Sequence, residues 1–152
     1  KRISMNDLFG SIFGLFQNIY GIPLSNFMYE DGRLYSQIGM AMVVVSIVVC
    51  AVFYYVINHP ALNSWKGWGM SLLINSVINF LMSWLRVLGI YNSGAMVETN
   101  LSNGEAVPID VSTFDIVNFG VATAIVSAVF YVLISFFIKR KSVNCSHYPH
   151  IK

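Results

Sequence analysis

The stretch GWGMSLLINSVINFLMSWLRVL, residues 67–88, decides the class of this chain. It is an apolar run long enough to cross a bilayer, yet Ser76, Asn79, Ser83 and Arg86 interrupt it at spacings of three, four and three. A helix with 3.6 residues per turn puts those four on one face, with Asn75 beside them. Because hydrocarbon offers no water to a polar side chain, such a stripe must turn toward protein or toward a water-filled cavity. The sequence therefore predicts a membrane helix with partners.

Composition agrees with that reading. Apolar residues make up 56% of the 152 and charged residues only 11%, and the mean hydropathy is +0.64, outside the usual range of a soluble domain. At about 20 apolar residues per crossing, the chain has room for a few spans and short connections, so a single polytopic domain is expected over residues 1–152. Working outward, Ile38 to Ile57 carries no charge and stops at Asn58, His59 and Pro60. Phe114 to Ile138 ends at Lys139, Arg140 and Lys141 and carries Gly120, Ala124 and Ala128 at four-residue spacing, a small-residue face suited to close helix packing. Trp65 and Trp68 at one end of the central span, with Trp84 and Tyr91 at the other, match the aromatic belts of a crossing helix.

Residues 6–27 read less simply. Their bulky side chains leave a seam of Asp7, Gly10, Gly14, Gln17 and Gly21, spaced three, four, three, four. Small residues favour close packing in lipid, and the seam lacks the Lys and Arg of an interfacial helix. Gln17, Asn18 and Pro23 weigh against a regular span. A crossing or re-entrant segment and a helix lying in the interface both remain open. The fold expected is an all-α bundle of four membrane segments, 6–27, 38–57, 67–88 and 114–138, with a polar connection at 92–113 and a tail at 139–152. Within that connection, Met96 to Leu101 and Ala106 to Val111 flank Ser102-Asn103-Gly104-Glu105, which predicts a β-hairpin outside the bilayer.

Lys and Arg near the span ends set orientation. With four crossings, Lys1, Arg2, Lys66, Lys139, Arg140, Lys141 and Lys152 share the cytoplasmic side, Arg33 alone falls outside, and 92–113 is on the outer side. Both termini are then cytoplasmic. Lys1 and Arg2 before an apolar run hint at a secretory signal, but no small-residue cleavage site follows.

Several residues invite a functional reading. Asn75, Ser76, Asn79, Ser83 and Arg86 would line a pore in an oligomer or hydrogen-bond across helices as packing groups. Arg86 near the outer end of its span and Asp115 at the outer end of the next are expected at similar depth, as a charged constriction, as a structural ion pair, or with the Arg86 stem snorkelling to the interface. Asp7 apart, the small residues Gly10, Gly14, Gly21, Gly120, Ala124 and Ala128 are expected at helix contacts. Cys145, His147 and His150 form a C-x-H-x-x-H tail that matches no common metal site, so no metal is assigned. Asn100-Leu101-Ser102 fits an N-glycosylation acceptor on the outer connection; Asn144-Cys145-Ser146 also fits but falls on the cytoplasmic tail. Cys50 and Cys145 are far apart in unlike surroundings, and no disulfide is assigned.

No nucleophile with a base at useful spacing, no phosphate-cradling glycine loop and no basic cluster suited to nucleic acid is present. The expectation is a non-enzymatic protein without cofactor whose partners are the lipid bilayer and either copies of itself or another membrane protein. Its leading function is a homo-oligomeric ion channel or pore lined by the third segment. The alternative is a non-conducting accessory, assembly or immunity-type subunit of a larger membrane complex.

Overall fold

The computed structural model describes residues 4–30, 33–57, 62, 64–99 and 104–140. The tail motif at 145–150, the acceptor at 100–102, the hairpin tip and the stop at 58–60 lie outside them. The chain is mostly helical: α1 Met5–Gly14, α2 Gln17–Tyr20, α3 Ile22–Tyr29, α4 Leu34–Ala51 continued by a π-helical turn Val52–Val56, α5 Trp65–Asn92 and α6 Thr113–Lys139. Between α5 and α6 stand two short strands, β1 Val97–Thr99 and β2 Ala106–Pro108.

Three helices are long and apolar enough to cross a membrane: Leu34–Val56, Trp65–Asn92 and Thr113–Lys139. They extend the expected segments by one to four residues at most ends, because the first and last turns of each carry polar or aromatic residues that a hydropathy reading trims. At 1.5 Å per residue, helices of 23, 28 and 27 residues all exceed a hydrocarbon core of about 30 Å. The expected hairpin is present as an antiparallel pair with Val97 opposite Pro108 and Thr99 opposite Ala106. Gly104, two residues before β2, takes φ +69°, a left-handed value that glycine adopts without steric cost.

Residues 5–29 differ from a single helix. The chain turns at Leu15 and Phe16, where Phe16 leaves helical geometry at φ −106°, ψ 4°, and again at Gly21, φ +92°. Pro23 then sits in the first turn of α3, where its missing N–H costs nothing. The two ends of the segment meet. Asn6 Nδ2 donates to the Tyr29 carbonyl at 2.8 Å, and the Tyr29 hydroxyl donates to Asp7 Oδ1 at 2.5 Å. A segment whose ends touch runs out and returns, so of the readings left open for 6–27 the structure has a helical hairpin and not one straight helix.

Two compact units divide the chain: Lys1–Met40 with Phe80–Thr123, and Ala41–Asn79 with Ala124–Lys152. In the first, four buried rings form the centre. Phe13 stacks on Tyr35 with centroids 5.5 Å apart, and Phe119 meets Phe13 at 5.4 Å and Tyr20 at 5.2 Å, the latter edge to face. Their phenols are not left bare: Tyr20 and Tyr35 hydroxyls lie 2.7 Å apart, Ser25 Oγ is 2.8 Å from the Tyr35 hydroxyl, and Tyr20 also donates to the Phe13 carbonyl. Gly39 admits the Phe9 ring and Gly120 the Phe80 ring.

In the second unit, Cys50, Phe53, Tyr54, Trp68 and Tyr131 make the core. Polar contacts cross it: Trp68 Nε1 donates to Ser135 Oγ at 3.0 Å, Tyr54 and Ser135 hydroxyls lie 2.8 Å apart, and Tyr131 donates to Ser71 Oγ at 2.7 Å. Each of these ties one long helix to another within a region where no solvent competes.

Candidate functional site

The polar stripe of α5 is buried within the chain. Its packed ridge is Ser71, Asn75, Asn79, Ser83 and Val87, at four-residue spacing, and Asn75, Asn79 and Ser83 are each 0% exposed. Asn75 Nδ2 donates to the Ser127 carbonyl of α6 at 3.2 Å, and Asn79 Nδ2 donates to the Asn75 carbonyl at 2.9 Å. Ser83 Oγ returns to its own helix at the Phe80 carbonyl. Ser76 is only half-buried and Arg86 is exposed. Spacing alone allowed either Asn75 or Ser76 to point inward. The amide takes the inner position because it needs partners on other groups, whereas a serine hydroxyl bonds its own helical carbonyls wherever it points.

On α6 the buried ridge is Phe119, Thr123, Ser127, Tyr131 and Ser135. Of the small residues expected there, Gly120 is buried while Ala124 and Ala128 are half-buried. Gly120 serves close packing, but of a side chain: a Cβ there would lie 2.9 Å from Phe80 Cε2.

Arg86 and Asp115 do not pair. Arg86 Nη2 donates to Gln37 Oε1 at 3.4 Å. Asp115 Oδ2 accepts from Ser112 N and Ser112 Oγ, both at 2.9 Å, while Ser112 Oγ accepts from Asp115 N at 3.2 Å. This reciprocal capping box satisfies donors at the start of α6 and uses the carboxylate there. Its signature, Ser112-Thr113-Phe114-Asp115, stands in the sequence, and the depth argument overlooked it. Ser4 and Asp7 form the same box at the start of α1.

The remaining expected residues come together in the N-terminal hairpin. A polar cleft of about 690 Å³ is lined by Asp7, Gly10, Gly14 and Gln17, four of the five seam residues, with Ser11, Ser25, Asn26, Tyr29 and Tyr35 among those opposite and beneath them. The seam thus opens on a cavity where close helix contact was expected. Gly10 lets the Tyr29 ring approach, a Cβ there being 3.0 Å from Tyr29 Cδ2, whereas at Gly14 nothing lies within 4 Å. Gly21, the fifth seam residue, is the hinge between α2 and α3. The hydrogen bond to Asp7 raises the Tyr29 phenol above its ordinary value of 10.0, so it remains a donor to the carboxylate. Asn118 Nδ2 of α6 donates to the Ile19 carbonyl at 3.0 Å and anchors the hairpin. Ser11, Ser25, Asn26 and the two tyrosines are a part of this cleft that the seam alone did not reveal. The chain matches no protein-family profile, no curated protein and no solved structure.

Proposed function

We propose that the chain is an integral membrane protein with three crossings, α4 with its π-helical turn, α5 and α6, and that it acts as a non-conducting subunit of a larger membrane assembly. One observation carries this reading: Asn75, Asn79 and Ser83, the groups that would face water in a pore lined by α5, are fully buried inside a single chain. The outward residues of the same helix, Leu73, Ile74, Val77, Ile78, Leu81 and Leu85, are apolar and exposed, a surface suited to lipid.

In this arrangement the returning N-terminal hairpin adds no crossing, and the termini lie on opposite sides. Lys66, Lys139, Arg140, Lys141 and Lys152 then mark the cytoplasmic face, which retains the larger share of basic residues near span ends. The hairpin α1–α3 and the strands β1 and β2 lie outside. Glu30, Glu98 and Asp110 are exposed on these outer elements and favour a partner whose extramembrane surface is basic.

The test is reconstitution of the purified chain into liposomes with ion flux measured beside its mass in mild detergent. A monomer or small complex without flux supports the subunit reading. Flux that Asn79→Leu abolishes would establish the homo-oligomeric channel instead.

A further inference from the structure

We propose that an apolar groove on the second unit holds an acyl chain of an anionic phospholipid, whose phosphate meets Lys66 and Arg140 at the same end of that unit. The groove, of about 240 Å³, runs between α4 with its π-helical turn and the first turns of α5, with Val48, Val52 and Phe53 on one side and Met70 and Ile74 on the other. Its one polar side chain, Ser71, is already engaged by the Tyr131 hydroxyl at 2.7 Å, so the groove offers water almost nothing to bond. Val52 and Phe53 belong to the π-helical turn, a rare departure from α geometry that is frequent at functional sites. Val48, Val52, Met70 and Ile74 are all exposed, so the groove opens outward, onto hydrocarbon when the long helices cross a bilayer. The inference rests on that membrane reading.

Charge selects the headgroup. All seven acidic residues of the chain fall in the first unit, whereas residues 41–79 and 124–152 contain Lys66, Lys139, Arg140, Lys141 and Lys152 and no Asp or Glu. Ile57 after the π-helical turn, Trp68 in the first turn of α5 and Ile138 in the last turn of α6 pack into one cluster. Lys66 and Arg140, each two residues from a member of that cluster and both exposed, therefore stand at one end of the unit, the end that the groove reaches at Ile57 and Gly67. Trp65 stacks on Trp68 there with ring centroids 5.0 Å apart, an aromatic pair suited to headgroup level. Basic side chains at that level attract anionic lipid. A second copy of the chain is the poorer occupant, because a two-fold axis along the membrane normal would bring the same cations together.

Full-length wild type and variants are placed in nanodiscs of equal phosphatidylglycerol and phosphatidylcholine, and lipid retained on release into mild detergent is read by native mass spectrometry. Wild type should retain phosphatidylglycerol over phosphatidylcholine by about tenfold or more. Lys66→Gln with Arg140→Gln, both at exposed positions, should lower that preference at least threefold. Val48→Phe, which fills the groove from its outer edge, should lower the amount retained by a similar factor, while Leu73→Phe, exposed on α5 outside the groove, should not. Ile74→Phe repeats the steric test from the other wall and decides if Val48→Phe does not fold. No preference in wild type, a preference unchanged by the charge variant, or retention unchanged by both groove variants would overturn the proposal. A lipid-free dimer that Val48→Phe dissociates would also overturn it, with a second copy as the occupant. Alkaline carbonate extraction of the chain from liposomes tests the membrane reading separately: retention without lipid preference leaves the crossings standing and removes only the lipid site, whereas release removes both.

Discussion

Ser135→Ala is a sharp perturbation of the second unit, because one oxygen atom serves two helices. Ser135 Oγ receives Trp68 Nε1 at 3.0 Å and lies 2.8 Å from the Tyr54 hydroxyl, and Ser135 itself is 0% exposed. Removing it leaves a hole no larger than an oxygen, so the lost bonds dominate over any cavity. Interhelical hydrogen bonds in a bilayer average about 0.6 kcal/mol, which for two bonds sets a floor of roughly 1.2 kcal/mol. An indole N–H left without its acceptor costs about 1 to 3 kcal/mol, which sets the upper end. The expected loss is therefore about 1 to 3 kcal/mol in reversible unfolding by detergent titration. A double-mutant cycle with Trp68→Phe should recover a coupling of roughly 0.6 kcal/mol, and at most about 1.7 kcal/mol. A loss within about 0.5 kcal/mol of zero, the range of neutral surface changes, together with no coupling, would refute the reasoning.

Three further outcomes follow from local geometry. Gly39→Ala places a Cβ against the buried Phe9 ring and should destabilise by about 1 to 3 kcal/mol, as overpacking does, measurable as a lowered midpoint in the same titration. Asp115→Asn should cost about 0.5 to 2 kcal/mol through the α6 cap, and the charge-swapped Arg86→Asp with Asp115→Arg should show additive losses, since the two side chains bond to Gln37 and Ser112 and not to each other. The raised Tyr29 phenol favours its protonated form in the folded chain; its contribution is present below the ordinary value of 10.0 and lost as pH rises beyond it. Alkaline difference spectra of wild type minus Tyr29→Phe should therefore show a phenol that ionises above that value, and a transition at or below it would contradict the Asp7 bond.

The three long helices were legible because hydropathy and aromatic belts act over whole turns and tolerate error at single positions. The paired strands were legible from two β-forming runs either side of Gly104, which takes a left-handed backbone that few residues accept. The N-terminal segment was not. Its seam of Asp7, Gly10, Gly14 and Gln17 has the spacing of a packing face, and spacing does not tell a face that meets a helix from one that borders a cleft. The break at Gly21 depends on a positive φ that glycine permits without requiring. The Arg86 and Asp115 expectation failed for another reason. Matched depth places two charges at one level but says nothing of nearer partners, and Ser112, three residues before Asp115, bonds its carboxylate first. The choice of Asn75 over Ser76 for the inner ridge of α5 lay within the angular uncertainty of any helical wheel, and only the demand of a buried amide for partners resolves it.

The central claim is that the polar ridge of α5 packs inside one chain. It is tested most directly by water accessibility of single cysteines, introduced at Asn75, Asn79 and Ser83 in a Cys50→Ser, Cys145→Ser background reconstituted in nanodiscs. A membrane-impermeant thiol reagent should leave all three unmodified while a cysteine at Asn26, exposed on the N-terminal cleft, reacts readily. Modification of the cysteines at Asn79 and Ser83 at a rate comparable with that at Asn26 would place the ridge in water and contradict the account.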